Sequence, residues 1–422
     1  MLISHLGLKL EKKDQTMNQI MIIGGDGFCG WPTALHLSSK GHAVTIVDNL
    51  SRRMIDAKLG ANSLTPIESI ETRIAAWKEV SGRDIAFAKI DIAEDYDALE
   101  TAMATIRPDT IIHFGEQRAA PYSMKGPTEK CYTVDNNIGA THNLLCAVAS
   151  LRLDPHVIHL GTMGVYGYDD DGLEIPEGYL RVYIPGDDKK LFERDILYPT
   201  NPGSVYHMTK SMDQLLFQFY AKNDGLRITD LHQGIVWGTQ TEETRLDGRL
   251  VNRFDYDGDY GTVLNRFLMQ AATGHPLTVH GTGGQTRAFI HIQDTVKCLA
   301  LAVENPQTNT GKVRIMNQMT ETHTVRDLAK VVAQVTGAEI ACVDNPRQEA
   351  AENGLRVSNR SFRALGLNPI TLENGLLTET EEIARRFAHR CNPAMIPCVS
   401  TWTDNQRPGV LTAESTPRAK AA

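Results

Sequence analysis

Tyr206 and Lys210 stand four residues apart in Val205-Tyr206-His207-Met208-Thr209-Lys210, at the start of an apolar helical run that continues through Leu215, Leu216 and Phe219. On a helix the two share one face, and an ammonium held there lowers the pKa of the phenol. Such a pair can take a proton from a hydroxyl and return it. The same spacing also occurs on solvated helix faces, so its meaning depends on what the rest of the chain brings beside it.

A second constellation lies near the N-terminus, in Gly24-Gly25-Asp26-Gly27-Phe28-Cys29-Gly30. A short β-branched strand, Ile20 to Ile23, leads into it. A helical run, Trp31 to Ser39, follows, and a strand from Ala43 to Val47 ends at Asp48. Glycines at 24, 27 and 30 permit a tight turn, close approach of backbone to a pyrophosphate and close helix packing, with the helix N-terminus facing the anion. Asp48, eighteen residues after Gly30, falls where a carboxylate accepts a hydrogen bond from an adenosine ribose. A carboxylate there repels a 2′-phosphate, which favours NAD; Arg52 and Arg53 argue in the other direction.

The elements that must position these residues alternate between strand and helix. Strands are expected at Ile85 to Ile92, Thr110 to Phe114, Val157 to Leu160 and Arg227 to Leu231, separated by helices at Asp97 to Ile106, Asn136 to Ala149 and Tyr206 to Lys222. This order predicts an α/β fold with a Rossmann-type doubly wound parallel sheet, whose ligands sit beyond the carboxyl ends of the strands. The residues just after the strands are polar: Gly115-Glu116-Gln117-Arg118, Gly161-Thr162-Met163-Gly164 and His232-Gln233-Gly234. The alternation breaks at 168–201 and 239–285. Residues 17–238 are therefore assigned mainly to the dinucleotide-binding part, with 168–201 inserted. Residues 239–402 are assigned mainly to a smaller, mixed substrate-binding lobe, with a return to the sheet at about 286–320. Residues 1–16 read as a disordered extension, with Met17 an alternative start, and 403–422 as an unstructured tail.

The composition is that of a globular protein, 41% hydrophobic and 22% charged, without an apolar run of the ~18–20 residues a membrane span requires. A net charge of −8 opposes general attraction to nucleic acid or anionic lipid. Seven cysteines without a Cys-x-x-Cys pair suggest neither a disulfide framework nor a metal site, and fit a reducing cytoplasm. Acidic residues in the first sixteen positions fit neither a signal nor a transit peptide.

Together the glycine turn, the Thr after the fifth strand and Tyr-x-x-x-Lys on the next helix resemble the extended short-chain dehydrogenase/reductase (epimerase/dehydratase) family, which acts on nucleotide sugars. The resemblance covers roughly residues 19–400. Longer strings narrow it: GGDGFCGW at 24–31, FGEQRAAPYSM at 114–124, GTMGVYG at 161–167, TDLHQGIVWG at 229–238, FDYDGDYGTVLNRF at 254–267 and GHPLTVHGTGGQTR at 274–287. These are similar to a branch that makes a sulfonated sugar nucleotide, a reaction classed with the hydrolases of carbon–sulfur bonds. The resemblance implies UDP-glucose and sulfite as substrates, with NAD retained through oxidation at C4, dehydration across C5 and C6, sulfite addition at C6 and re-reduction at C4. A homodimer through the helices at 136–149 and 206–222 is the family expectation, and a sulfite-donating protein is a further implied partner.

The resemblance carries roles to individual positions. Tyr206 would take the proton of the sugar 4-hydroxyl, Lys210 would hold the phenol ionised together with the positive nicotinamide, and Thr162 would bind the same hydroxyl. NAD would lie against Gly24, Gly27, Phe28, Cys29, Gly30, Asp48, Asn49, Arg52, Asp91, Ile92, Gly115, Asn136, Tyr206, Lys210 and Val236. Arg118 would bind sulfite or sulfonate oxygens, and Gln233 the sugar. Arg287 and Arg347 are candidates for the diphosphate and the sulfonate, and Asn265 with 276–280 for the diphosphate and uracil side.

Related dehydratases carry Thr-Asp-Glu where this chain has Thr162-Met163-Gly164, so their usual acid and base for elimination are missing. The change is expected to leave room for sulfite. His207 is the nearest titratable substitute, an imidazole able to work in either direction near pH 7; the alternatives are that it packs or caps the helix, or that Tyr206 acts twice. Val165 stands where the branch has Glu, and Asn353-Gly354-Leu355 where it has His-Tyr-Tyr. Two other readings share the fold: a retained-NAD enzyme such as a UDP-hexose 4-epimerase, and a non-catalytic dinucleotide-sensing or RNA-binding relative.

Overall fold

A computed structural model describes residues 17–167, 173–187, 190–308, 311–345, 347, 349–372 and 376–397. The expectations for 1–16 and 403–422 fall outside them.

The first half of the chain builds a parallel sheet. Strand β1 (Gln19–Ile23), buried at four of its five residues, passes through the glycine turn into α1 (Gly30–Ser39) and returns as β2 (Ala43–Val47). Helices α2 (Ser51–Leu59) and α3 (Ile70–Ser81) then cross to β3 (Ile85–Ala88), and α4 (Tyr96–Ile106) to β4 (Thr110–His113). Helix α5 (Pro127–Ser150) leads to β5 (His156–Thr162). The 168–201 region contributes β6 (Glu174–Ile175) and an antiparallel ribbon, β7 (Tyr179–Pro185) with β8 (Leu191–Leu197). Helix α6 (Val205–Asn223) and β9 (Arg227–Gln233) complete this half.

The second half adds β10 (Ile235–Trp237), α7 (Val263–Ala272), β11 (Leu277–His280), β12 (Gly284–His291), α8 (Ile292–Glu304), β13 (Arg314–Gln318) and β14 (Glu321–Thr324). Helix α9 (Val325–Thr336), β15 (Ile340–Val343), β16 (Glu352–Asn353), β17 (Arg356–Val357), α10 (Arg360–Ala364) and α11 (Leu376–Phe387) follow. The seven-stranded sheet has the order β13-β9-β5-β4-β1-β2-β3 and is parallel throughout. The order reverses between β1 and β4, the switch point at which a doubly wound sheet opens its ligand crevice.

Two differences from the sequence expectation have local causes. The third strand stops at Ala88 rather than Ile92, because Asp91 turns its carboxylate onto the Ala93 N–H at 3.1 Å and receives the Asn49 amide at 2.8 Å. Helix α5 begins at Pro127 rather than Asn136, since proline at the first position loses no intrahelical hydrogen bond. A separate apolar core, around Trp237, Phe254, Leu264, Phe267, Phe289 and Leu328, supports α7, α9, β11 and β12 over the strand ends.

Candidate active site

A cavity of about 560 Å³ opens at the carboxyl ends of β1, β2, β4, β5 and β9 and extends beneath α7, β11 and β12. Every residue assigned singly from the sequence to cofactor, chemistry or substrate lines it, with one exception, and of the 276–280 segment Thr278 and His280 do. Asn265 is buried on α7 and does not line it; its neighbour Arg266 does.

At the N-terminal end the backbone forms a cradle. Gly24 has φ +79°, and a Cβ there would stand 2.7 Å from the Phe114 carbonyl carbon; a Cβ on Gly30 would overlap the Gly24 carbonyl. Asp48 accepts hydrogen bonds from the Asp26 N–H at 2.9 Å and the Leu50 N–H at 2.7 Å. Burial raises its pKa to about 6, against which those two hydrogen bonds pull down. Arg53 is committed to Asp26 at 2.5 Å, and Arg52 to Asp56 and Asp255 while stacking 3.6 Å above the Tyr260 ring. Both guanidiniums that argued for a 2′-phosphate are thus held by carboxylates. The cradle, the helix N-terminus behind it and the carboxylate at Asp48 fit NAD.

Opposite the cradle, β5 and β9 run in register so that Thr162 pairs with Gln233. The Thr162 hydroxyl accepts the Gly164 N–H at 3.1 Å and also lowers the pKa of Tyr206 by hydrogen bonding. Ser204 caps α6 through the His207 N–H at 3.1 Å, and Ser123 receives the Tyr206 N–H at 3.1 Å, fixing the helix start that carries the phenol. Lys210 donates to Glu116 at 2.8 Å and to the Leu160 carbonyl at 2.9 Å, and its ammonium is held charged by Glu116, Tyr206 and Asp213 against the cost of burial. The Tyr206 phenol nevertheless lies above its ordinary range. Burial pushes it up more than Lys210 pulls it down, and Glu116 opposes Lys210. The expected fall in its pKa is absent from the protein alone.

The room expected at Gly164 is taken. A Cβ at that position would overlap Cδ2 and Nε2 of His207, so the imidazole fills the volume that a side chain at 164 would need. Burial, then Arg347 and Arg287, lower the His207 pKa to about 3, so the ring is neutral rather than poised near pH 7. His207 does not cap the helix with its ring; Ser204 does.

Arg118 pairs with Asp255 at 2.5 Å and faces Phe28 and Tyr260. Arg287 pairs with Glu349, and Arg347 donates its backbone N–H to Asn345 at 3.0 Å. Gln233 reaches the Cys29 sulfur at 3.9 Å. Of the departures, Val165 sits in a buried cluster with Met163 and Tyr166 and does not line the cavity. Asn353 accepts the Thr286 N–H at 2.8 Å as part of the β16–β12 pairing, and Leu355 lines the cavity.

Glu116, Arg266, His280, Tyr260 and Gln285 also line the cavity. His280 belongs to the 276–280 segment assigned from the sequence; Glu116, Tyr260, Arg266 and Gln285 lie within quoted strings but were given no role.

Comparison with known proteins agrees with this geometry. Residues 20–317 match the model of the "NAD dependent epimerase/dehydratase family". A UDP-sulfoquinovose synthase of Spinacia oleracea, described as chloroplastic, is 43% identical over 94% of this chain and 81% of its own length. A UDP-sulfoquinovose synthase of Sulfolobus acidocaldarius is 38% identical over 83% of this chain and 88% of its own. Among solved structures, a Thermotoga maritima UDP-glucose 4-epimerase with UDP-glucose superposes with a TM-score of 0.63 at 22% identity, covering 87% of this chain and 98% of that one. The chain belongs to the NAD-dependent epimerase/dehydratase family.

Proposed function

We propose that this protein is a UDP-sulfoquinovose synthase that uses NAD to convert UDP-glucose and sulfite into UDP-6-sulfoquinovose and water. The observation that carries the reading is the 43% identity over 94% of the chain, joined to a cavity in which Thr162, Tyr206, Lys210 and His207 meet. Bound NAD supplies a two-electron acceptor that is restored within one turnover.

The chain's own residues account for the proton movements. Thr162 and Tyr206 bind the sugar 4-hydroxyl, and Tyr206 takes its proton as C4 is oxidised. The resulting ketone acidifies C5–H. His207, neutral and at the place left by Gly164, accepts that proton and hands it to the C6 hydroxyl, which leaves as water. Sulfite, entering as the hydrogen-sulfite ion, then forms the C6–S bond while its proton goes to C5, and Tyr206 returns its proton to the oxygen at C4. An anion bound between His207 and Arg287 or Arg347 would offset the two guanidiniums that depress the imidazole, so sulfite itself would strengthen the base. Arg118, Arg287 and Arg347 supply positive charge for sulfite and diphosphate, and Arg266 and His280 extend the site beneath α7.

Two identical subunits pairing through α5 and α6 would cover an apolar stripe on α6, Met208, Met212, Leu215 and Phe219, of which Leu215 is 65% and Phe219 58% exposed. The six cysteines among the described residues are all free, which suits a reducing compartment such as the cytoplasm. No helix among the described residues is long and apolar enough to cross a membrane. A sulfite-donating protein is part of the proposal.

The proposal is tested by incubating the protein with UDP-glucose, with and without sulfite, and analysing the products by mass spectrometry. A sulfite-dependent sulfonated UDP-hexose is expected; UDP-galactose formed without sulfite would favour a 4-epimerase.

A further inference from the structure

Behind Tyr206 lies a buried group of charges that the reaction as described does not use. The Glu116 side chain is 2% exposed and stands between Lys210 and His159: Oε2 pairs with Lys210 Nζ at 2.8 Å and Oε1 meets His159 Nε2 at 2.9 Å. His159 Nδ1 donates to Asp230 at 2.8 Å, Asp230 meets His232 at 2.9 Å, and His232 Nδ1 meets the Tyr166 hydroxyl at 2.5 Å. His113 approaches Glu116 at 3.4 Å, Thr141 donates to it at 3.2 Å, and Asp213 lies 3.7 Å from His159. The three carboxylates, Glu116, Asp213 and Asp230, come from the loop after β4, from α6 and from β9, and His159 comes from β5.

Glu116 and His159, together with Asp213, converge as a metal site would, but the Lys210 ammonium already occupies the middle of the group. Burial and the Lys210 ammonium, whose Nζ lies 2.9 Å from Nε2, disfavour a charge on His159, yet Asp230 and Glu116 raise its pKa to about 9. Burial, then the neighbouring Glu116 carboxylate, drive Asp213 well above the usual range. Glu116 faces Lys210 at 2.8 Å, so the lysine is not a bare charge beside the phenol.

We propose that Glu116 is a positioning residue that keeps the abstracted proton on Tyr206 during the middle of the reaction, by cancelling the pull of Lys210 on the phenol. The inference rests on the proposed C4 oxidation by Tyr206. While the ketone exists, dehydration and sulfite addition must occur before the proton is needed again at the C4 oxygen. A phenol ionised by an uncompensated lysine would release that proton and place a second anion beside incoming sulfite. With Glu116 bound to Lys210, ionisation requires the additional positive charge of the oxidised cofactor, and the phenol is neutral whenever the cofactor is reduced. The other charged or titratable groups facing Tyr206 and Lys210 are Arg118 beyond β4, His207 and Asp213 on α6, His113 on β4, His159 on β5, and Asp230 and His232 on β9.

The test is an ultraviolet tyrosinate titration of Tyr206, taken as the difference between the protein and its Tyr206→Phe variant, with NAD bound and either oxidised or reduced by borohydride. In the reduced wild type the Tyr206 midpoint should lie above that of free tyrosine, ~10. Glu116→Gln should lower it by at least about one pH unit, and Glu116→Asp should bring it back towards the wild type. A Glu116→Gln midpoint equal to the wild type would overturn the inference. So would a reduced wild type whose Tyr206 is already ionised at pH 7, a result that does not depend on the variants folding. Failure of UDP-glucose to reduce the bound NAD would instead refute the proposed C4 oxidation, and the titration would still read Glu116.

Discussion

His207 and Gly164 share one volume, and this sharpens what each residue can do. The absence of a side chain at 164 is the condition for the imidazole to stand beside the sugar. Gly164→Ala should displace the ring and lower product formation while leaving NAD binding unchanged, as measured by turnover against cofactor content. His207→Ala should spare C4 oxidation, seen as reduction of bound NAD by UDP-glucose, and slow sulfonated product formation by ~10²-fold or more, the usual scale for a lost general base. Equal product rates in His207→Ala and the wild type would remove the assignment. Tyr206 and Lys210 were legible from the sequence because four-residue spacing on a helix is a local property. The Glu116–Lys210 ion pair was not, since it forms only when the end of β4 and the face of α6 are brought together by the sheet. The neutral state of His207 was equally hidden, because it depends on burial and on Arg287 and Arg347 arriving from β12 and the chain beyond β15.

At the scale of elements, the glycine turn and the alternation of strand and helix were readable because buried parallel strands are short runs of β-branched and aliphatic residues between helices. Element ends were less so. The turn at Asp91 and the start of α5 at Pro127 depend on side-chain hydrogen bonding and on proline at a helix N-terminus, which hydrophobic periodicity does not report. The ribbon β7–β8 was visible from the sequence only as a break in the alternation at 168–201. Helix α6 carries both the phenol on its buried face and the apolar stripe on its outer face. Leu215→Glu combined with Phe219→Glu should therefore convert the proposed dimer to a monomer in light scattering, with the fold retained by circular dichroism. A dimer persisting in the double variant would place the interface elsewhere.

For the whole molecule, several buried histidines make stability depend on pH. Burial lowers the pKa of His113, His156, His207 and His291 to about 3 each, whereas an unfolded histidine titrates near 6.5. Between those values the unfolded chain binds protons that the folded chain refuses, so stability is lost as pH falls below about 6.5. His280, lowered to about 4, adds to these four, while Asp48, raised to about 6, and Asp213, driven well above the usual range, act in the opposite sense. His159, raised to about 9, contributes stability that is present at pH 6 and lost as pH rises through 9. Urea midpoints should accordingly fall from pH 7 to pH 5; a higher midpoint at pH 5 would mean that these imidazoles are not held neutral. The central claim, that this family member builds a carbon–sulfur bond, is reached most directly by supplying UDP-glucose and isotopically labelled sulfite to the NAD-loaded protein and weighing the nucleotide sugar formed. The account requires one labelled sulfonate per UDP-hexose with no net change in the cofactor; a product unlabelled and isomeric with UDP-glucose would contradict it.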